Sequence, residues 1–148
     1  EVFRNRIFSG ETLISIWGGF ENGLPTAGMN PAELAPTSQQ SLQWPKWGQF
    51  FETKGQAGEA PDLPKAKELA DLNGQWLVST DDATRADIWQ QMLQIHADET
   101  FSIGIVSGVM QPVVASGKLR NIPAEAVYNW DPGAMFGIYR PDTFYYEK

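Results

Sequence analysis

The single histidine, His96, is the first side chain to consider for chemistry, because imidazole can act as a general base or a metal ligand near neutral pH. It falls near the end of a predicted helix. A histidine at that place also interacts favourably with the negative end of the helix dipole. We therefore favour a capping role for His96, and no metal site is predicted.

Carboxylates are plentiful, and two of them could form the acid pair of a glycosidase. Asp81 and Asp82, however, are better explained as the start of a helix, where acceptors and negative charge are stabilising. Asp131 lies in a Trp-Asp-Pro-Gly turn, and Asp98 and Glu99 close a helix. The chain has no Gly-x-Ser-x-Gly element and no cysteine, which excludes a nucleophile elbow, a thiol nucleophile and a zinc–thiolate site. We expect no catalytic constellation and no cofactor.

Aromatic side chains are the stronger indication of function. Trp17 ends a predicted strand and precedes Gly18 and Gly19; in α/β proteins ligands collect at such strand ends. Its ring could stack on a ligand, and the two glycines would let backbone groups approach it. Trp44 and Trp47 flank Pro45, where packing of the loop is the favoured interpretation and ligand contact the alternative. The predicted ligand-binding residues are Trp17, Gly18, Gly19 and Trp44.

Strand and loop segments position these residues. Residues 11–17 are β-branched and apolar, which predicts a short strand, and residues 101–106 and 112–115 predict two more. Residues 20–45 form a long loop rich in proline and glycine, with a turn of helix near residues 32–34. Loops of this length in compact domains are often functional. Residues 55–61 are expected to be a flexible connector, and the aromatic tail after residue 123 is expected to pack against other parts of the protein.

Three helices are predicted. Residues 46–54 form a short helix, and a second begins near Pro64, which fits a first helical turn. The third runs from about residue 82 to residue 98 and carries an apolar stripe. Trp76 and Trp89 lie on the stripes of the last two helices and are predicted to be core residues. The combined pattern is an α/β or α+β arrangement.

Composition excludes several classes of protein. The chain has 148 residues, of which 42% are hydrophobic and 12% aromatic, and these values indicate a folded chain and not a disordered one. Its formal net charge of −7 argues against a general binder of nucleic acid or anionic membranes. No apolar run is long enough to cross a membrane. The chain begins without methionine, so we expect it to be a piece of a longer protein.

Most of the chain resembles the extracytoplasmic solute-binding proteins of family 5, the oligopeptide, dipeptide and nickel class. The resemblance is strongest in the helix at residues 84–99 (TRADIWQQMLQIHADE), the strand at residues 101–106 (FSIGIV) and the segments at residues 111–123 and 130–144. Upstream, residues 14–19 (ISIWGG), 33–36, 47–51 and 55–59 also fit. It is a distributed pattern, and it lacks the Asp-Pro step that often follows the tryptophan.

The resemblance implies an α/β fold: a C-terminal lobe fragment of a two-lobed periplasmic binding protein, with returning hinge strands and an aromatic tail. Residues 1–106 would belong to the C-terminal lobe, and residues 107–148 would form the returning hinge segment and tail. The implied function is to bind a solute, by default a peptide, in the periplasm and deliver it to the permease of an ABC importer, without catalysis. Trp17, Gly18 and Gly19 would then line the ligand cleft.

Two alternatives from other classes remain. One is a carbohydrate-active enzyme or lectin-like domain with aromatic platforms, in which Asp131 or Asp142 would be needed for turnover. The other is a protein interaction module whose aromatic tail docks on a partner.

Overall fold

The computed structural model describes residues 1–18, 25–106, 110, 112–126 and 139–147. The chain divides into two compact units. The first comprises Glu1–Trp17 and Thr26–Ile103, and the second comprises Gly18–Pro25 and Gly104–Lys148. Each unit is described separately below.

The first unit contains four α-helices: α1 (Val2–Phe8), α2 (Pro45–Glu52), α3 (Pro64–Val78) and α4 (Asp82–Glu99), with a 3-10 turn at Ala32–Leu34. Proline occupies the start of α2 and of α3, where its missing N–H has no intrahelical acceptor in any case. Helix α4 begins at the acceptor side chain of Asp81 and ends at Thr100 in the left-handed conformation. The three predicted helices and the helical turn at residues 32–34 are confirmed, with bounds shifted by one or two residues.

Helices α3 and α4 pack against each other and supply most of the core. Their apolar positions recur at helical spacing, so each helix directs one stripe inward. The stripes are buried and consist of Leu69, Leu72 and Trp76 on α3 and of Ile88, Trp89, Met92 and Ile95 on α4. The prediction that Trp76 and Trp89 are core residues is confirmed.

The described part of the long loop is a component of this core. Its buried residues include Pro31, Leu34, Ala35 and Pro36. The helices also hold its backbone: the indole N–H of Trp76 donates to Ala27 O at 3.0 Å, and that of Trp89 donates to Met29 O at 2.9 Å. Indole donors satisfy loop carbonyls that the protein interior would otherwise leave unpaired.

A hydrogen bond between the buried Asn73 and the exposed Asn30 completes this anchoring. Asn73 of α3 is 2% exposed, and its Nδ2 donates to Asn30 Oδ1 at 3.0 Å, while the same oxygen accepts the Ala32 N–H at 3.1 Å. The length of the loop indicated a functional segment. In the structure, residues 26–36 pack on α3 and α4, where their apolar side chains and carbonyls find partners.

The backbone of α2 lies very close to the backbone of the loop that precedes it. A Cβ at Gly48 would lie 2.0 Å from the carbonyl oxygen of Ser38, so only glycine fits between this helix and the loop. The chain after α2 also folds back: Glu59 N–H donates to Lys46 O at 3.1 Å, and Thr53 Oγ1 bonds both the N–H and the C=O of Ala57. Residues 55, 57 and 59, within the segment 55–61 predicted as a flexible connector, are thus hydrogen bonded to α2 or to its C-cap residue Thr53.

The three predicted strands do not form among the described residues. Residues 11–17, 101–106 and 112–115 are extended or irregular and make no ladder there. Their apolar side chains are exposed, including Leu13, Ile14, Ile16, Ile103, Ile105 and Val114. The prediction was wrong because β-branched apolar sequence forms a strand only where a neighbouring strand accepts its hydrogen bonds. No described segment pairs with these three.

The second unit contains a two-stranded antiparallel ladder, β1 (Leu119–Arg120) with β2 (Tyr145–Tyr146), in which Leu119 faces Tyr146. A 3-10 turn at Pro141–Thr143 precedes β2. Asn121, at a φ of 63°, donates from Nδ2 to Thr143 O at 3.0 Å and so ties the turn to the end of β1. Tyr145 and Tyr146 are exposed, and most of the predicted aromatic tail, residues 127–138, lies outside the described residues.

Within the described ranges, no helix is long and apolar enough to cross a membrane.

The cap of α4 carries a pH-dependent contribution to stability. The Thr84 N–H donates to Asp81 Oδ1 at 2.8 Å, and this hydrogen bond lowers the pKa of Asp81 below the usual aspartate value of about 3.9. A depressed pKa in the folded state means that the stabilisation is present above the unfolded-state pKa. It is lost as the pH falls through the folded-state pKa.

We therefore expect Asp81→Ala to melt below the wild-type protein at pH 7, with a difference that narrows once the pH falls below about 4. Thermal melting of both proteins at a series of pH values from 7 downward measures how this difference in melting temperature changes. Asp81→Asn is the control, since asparagine is also a good N-cap and keeps its acceptor at every pH. A difference that stayed constant down to pH 3 would exclude ionisation as its source.

Candidate functional site

The candidate site is an exposed aromatic platform formed by Phe3, Arg4 and Trp17 in the first unit. The Phe3 and Trp17 rings stack with centroids 5.6 Å apart and planes inclined by 22°. The Arg4 guanidinium carbon lies 5.2 Å from the centroid of the Trp17 ring, within cation–π distance. Trp17 is 53% exposed and Phe3 is 41% exposed, so large parts of both rings face solvent.

Local chain geometry brings these residues together. Helix α1 ends in a Schellman arrangement, in which Gly10 N–H donates to Ile7 O and Glu11 N–H donates to Arg6 O. Gly10 has a φ of 81°, a left-handed conformation that glycine adopts without strain. This reversal of chain direction returns residues 11–17 to α1. The Trp17 ring therefore contacts Phe3 and Arg4, which precede it in the sequence by 14 and 13 positions.

The predicted neighbours of Trp17 are less well defined. A Cβ built on Gly18 would meet no described atom within 4 Å, so packing among the described residues does not explain a glycine there. Gly19 lies outside the described residues. The close backbone approach expected of Gly18 and Gly19 stays a prediction.

Trp44, also predicted to bind ligand, lies in the core and is 4% exposed. It is the residue before α2, and its ring stacks on Trp47 at 6.4 Å and meets the edges of His96 at 5.8 Å and Phe101 at 5.3 Å. These neighbours cover the ring faces that a ligand would need. The position agrees with the packing interpretation, and contact with a ligand would require this aromatic cluster to open.

His96 has a structural partner within the same cluster. It lies in the last turn of α4, and its Nε2 is 2.8 Å from Leu34 O, which links α4 to the 3-10 turn. The ring also packs edge-on against Phe101 at 5.6 Å. One polar atom of the cluster is unusual: the buried indole nitrogen of Trp44 has no hydrogen-bond partner among the described residues.

Two of the carboxylates considered for an acid pair have local contacts. Asp81 caps α4, and Asp142 lies 3.5 Å from Arg140 in the exposed 3-10 turn of the second unit. Asp131 lies outside the described residues. In the part of the chain that the structure describes, no group of three histidine or acidic side chains is placed to hold a metal ion.

Phe3 and Arg4 were not among the predicted site residues. Their adjacency in sequence gave no sign of a contact with Trp17, because that contact depends on the reversal after α1. The usable signal was Gly10, which follows a short apolar and basic segment and suits a helix C-terminus.

Comparison of the chain with protein-family models, with curated proteins and with solved structures gave no match. Functional interpretation of the platform therefore depends on its own chemistry and on the sequence resemblance.

Proposed function

We propose that this chain forms part of the C-terminal lobe of a family 5 solute-binding protein, which captures a solute in the periplasm and passes it to the permease of an ABC importer. The default solute is a peptide, and the protein performs no chemistry on it. The observation that carries the proposal is the platform of Phe3, Arg4 and Trp17, in which Trp17 is 53% exposed and Phe3 is 41% exposed.

The exposure of Trp17 is the first support. A tryptophan ring is large and apolar, and burying it contributes strongly to binding. The Trp17 ring is held in position by its contacts with Phe3 and Arg4 in the absence of a ligand. Such preorganisation reduces the entropy lost on binding and favours a recognition role.

The sequence resemblance is the second support, and it includes the residues of the platform's own segment, 14–19 (ISIWGG). The same resemblance covers α4, whose helical bounds, cap and buried stripe follow the sequence pattern. Phe3, Arg4, Trp17 and α4 all belong to the first unit, so the ligand site is proposed there.

Replacing Trp17 by alanine is expected to weaken solute binding by about thirty-fold or more, since a central aromatic anchor commonly contributes about 2 kcal/mol or more. Isothermal titration with the best ligand from a panel of peptides, sugars, opines and metal chelates measures the effect. The panel is screened first by thermal shift, where a solute at about 100 times its Kd stabilises the folded protein by roughly 2.7 kcal/mol.

Phe51→Ala is the control for that titration, because Phe51 is an aromatic of similar exposure, 47%, on α2 of the same unit. Its replacement should leave the affinity unchanged within about two-fold. Equal affinities for wild type and Trp17→Ala would remove Trp17 from the site. If no member of the panel bound, or if a glycoside were turned over, the solute-binding proposal itself would fail.

A further inference from the structure

Arg4 is held in place on the platform from two sides. Its guanidinium lies over the Trp17 ring, and its Nη1 donates to Oε1 of Gln40 in the loop before α2. Residues from α1, from the segment that follows it and from the loop thus converge on one cationic group. An arginine fixed in this way loses less conformational entropy when it binds an anion.

The positive charge of Arg4 has no carboxylate partner among the residues that the structure describes. The ion pairs found there involve Lys65 with Glu68, Arg120 with Glu147 and Arg140 with Asp142. A guanidinium has five N–H donors, and the hydrogen bond to Gln40 uses one of them. The remaining donors lie beside the exposed Trp17 and Phe3 rings, where the carboxylate of a bound ligand can accept them.

We propose that the platform selects ligands that carry a carboxylate next to an aromatic ring. The ligand's ring packs on the exposed parts of Trp17 and Phe3, and its carboxylate accepts two N–H bonds from Arg4. This inference rests on the proposed solute-binding function and names the ligand group that the site recognises. A peptide ending in an aromatic residue and a free aromatic acid share this chemistry.

The fork geometry of arginine explains why a carboxylate is preferred to other groups. Two parallel N–H···O bonds fit a carboxylate, and bonds of this charge-assisted kind are about twice as strong as neutral ones. An amide of the same shape offers a single acceptor and no charge. The positive charge of Arg4 would repel an amine. A lysine in place of Arg4 would supply the charge without the two parallel N–H donors.

The test uses phenylacetate as the probe, with phenylacetamide, acetate and phenethylamine as comparison compounds. Binding to the whole chain is followed by the indole ¹H–¹⁵N signal of Trp17, assigned with Trp17→Phe. We expect phenylacetate to bind at least about ten-fold more tightly than each of the other three. Equal binding of phenylacetate and phenylacetamide would overturn the inference.

Variants then assign the effect to Arg4. Arg4→Gln should lose about ten-fold in phenylacetate affinity, with Arg4→Lys in between, and Arg6→Gln should stay within about two-fold. Arg6 is the matched control, since its replacement removes the same charge from the same helix. An effect of Arg6→Gln equal to that of Arg4→Gln would show general electrostatic attraction in place of recognition at Arg4.

To separate this inference from the proposed function, a dipeptide ending in phenylalanine, the dipeptide amide and an uncharged sugar are titrated into the same samples. If the dipeptide binds and Arg4→Gln weakens it, the inference is supported for peptides as well. If the amide or the sugar binds in a Trp17-dependent way without an Arg4 effect, the inference fails and solute binding stands. If no compound binds, both fail.

Discussion

Replacing Gly48 with alanine is expected to lower the free energy of unfolding by about 3 kcal/mol or more. The added Cβ would lie 2.0 Å from the Ser38 carbonyl oxygen, 2.1 Å from its carbon and 2.6 Å from the Gln39 nitrogen. All three are backbone atoms, so no side chain can rotate away, and α2 must separate from the loop. Urea denaturation followed by circular dichroism measures the loss.

Gly74→Ala is the matched control for this variant. Gly74 also lies inside a helix, α3, but a Cβ there meets no atom within 4 Å. Because alanine is favoured over glycine in a helix interior by about 1 kcal/mol, this variant should gain stability. Opposite signs for the two substitutions are the expected result. A similar gain at Gly48 would show that the close approach of α2 to the loop does not exist in solution.

The second large effect is expected at Trp89. Trp89→Ala should cost about 3–5 kcal/mol, because it empties a buried volume in the core and also removes the donor to Met29 O. In a protein of this size each kcal/mol lowers the melting temperature by roughly 2–4 °C. Thermal melting of the variant and the wild type measures the difference.

Trp89→Phe separates the two contributions. Phenylalanine fills much of the volume but leaves the Met29 carbonyl without its donor, for which we expect about 1–3 kcal/mol. Trp17→Ala, at an exposed tryptophan, should cost no more than about 1 kcal/mol. If Trp89→Phe were as stable as the wild type, the indole hydrogen bond would contribute nothing, and the loop would depend on apolar packing alone.

The helices could be predicted from the sequence because their signals are local. Proline at 45 and 64, the acceptor at Asp81 and the apolar positions at helical spacing each act within one or two turns. Such signals need no knowledge of the rest of the fold. This is why the bounds of α2 and α4 and the start of α3 were predicted to within two residues.

The strand predictions failed because a β-strand needs a neighbouring strand to form its backbone hydrogen bonds. Residues 11–17 and 101–106 have suitable side chains, but no described segment accepts their hydrogen bonds, and Leu13 is 99% exposed. The true ladder joins residues 119–120 to residues 145–146, two short pieces without a run of β-branched residues. Each of these strands is two residues long, which is too short to show the alternation that identifies a strand in a sequence. The two strands also lie more than 20 positions apart in the chain.

The candidate site could be predicted only in part. Trp17 was found from its residue type and the glycines after it, whereas Phe3 and Arg4 were missed because their contact with Trp17 depends on the reversal at Gly10. Trp44, the other tryptophan predicted to bind ligand, is buried in the core. Two tryptophans around a proline are consistent with either an exposed platform or a packed loop, and only the positions of His96 and Phe101 distinguish the two.

The anchoring of the long loop has a consequence for the order in which the first unit can assemble. Its side-chain hydrogen bonds, from Asn73, Trp76, Trp89 and His96, join residues 43 to 62 positions apart in the chain. Closing such long loops costs chain entropy, whereas the pairing of α3 with α4 across a three-residue connection costs little. We therefore expect the α3–α4 hairpin to form first, and residues 26–36 to become ordered by docking onto it.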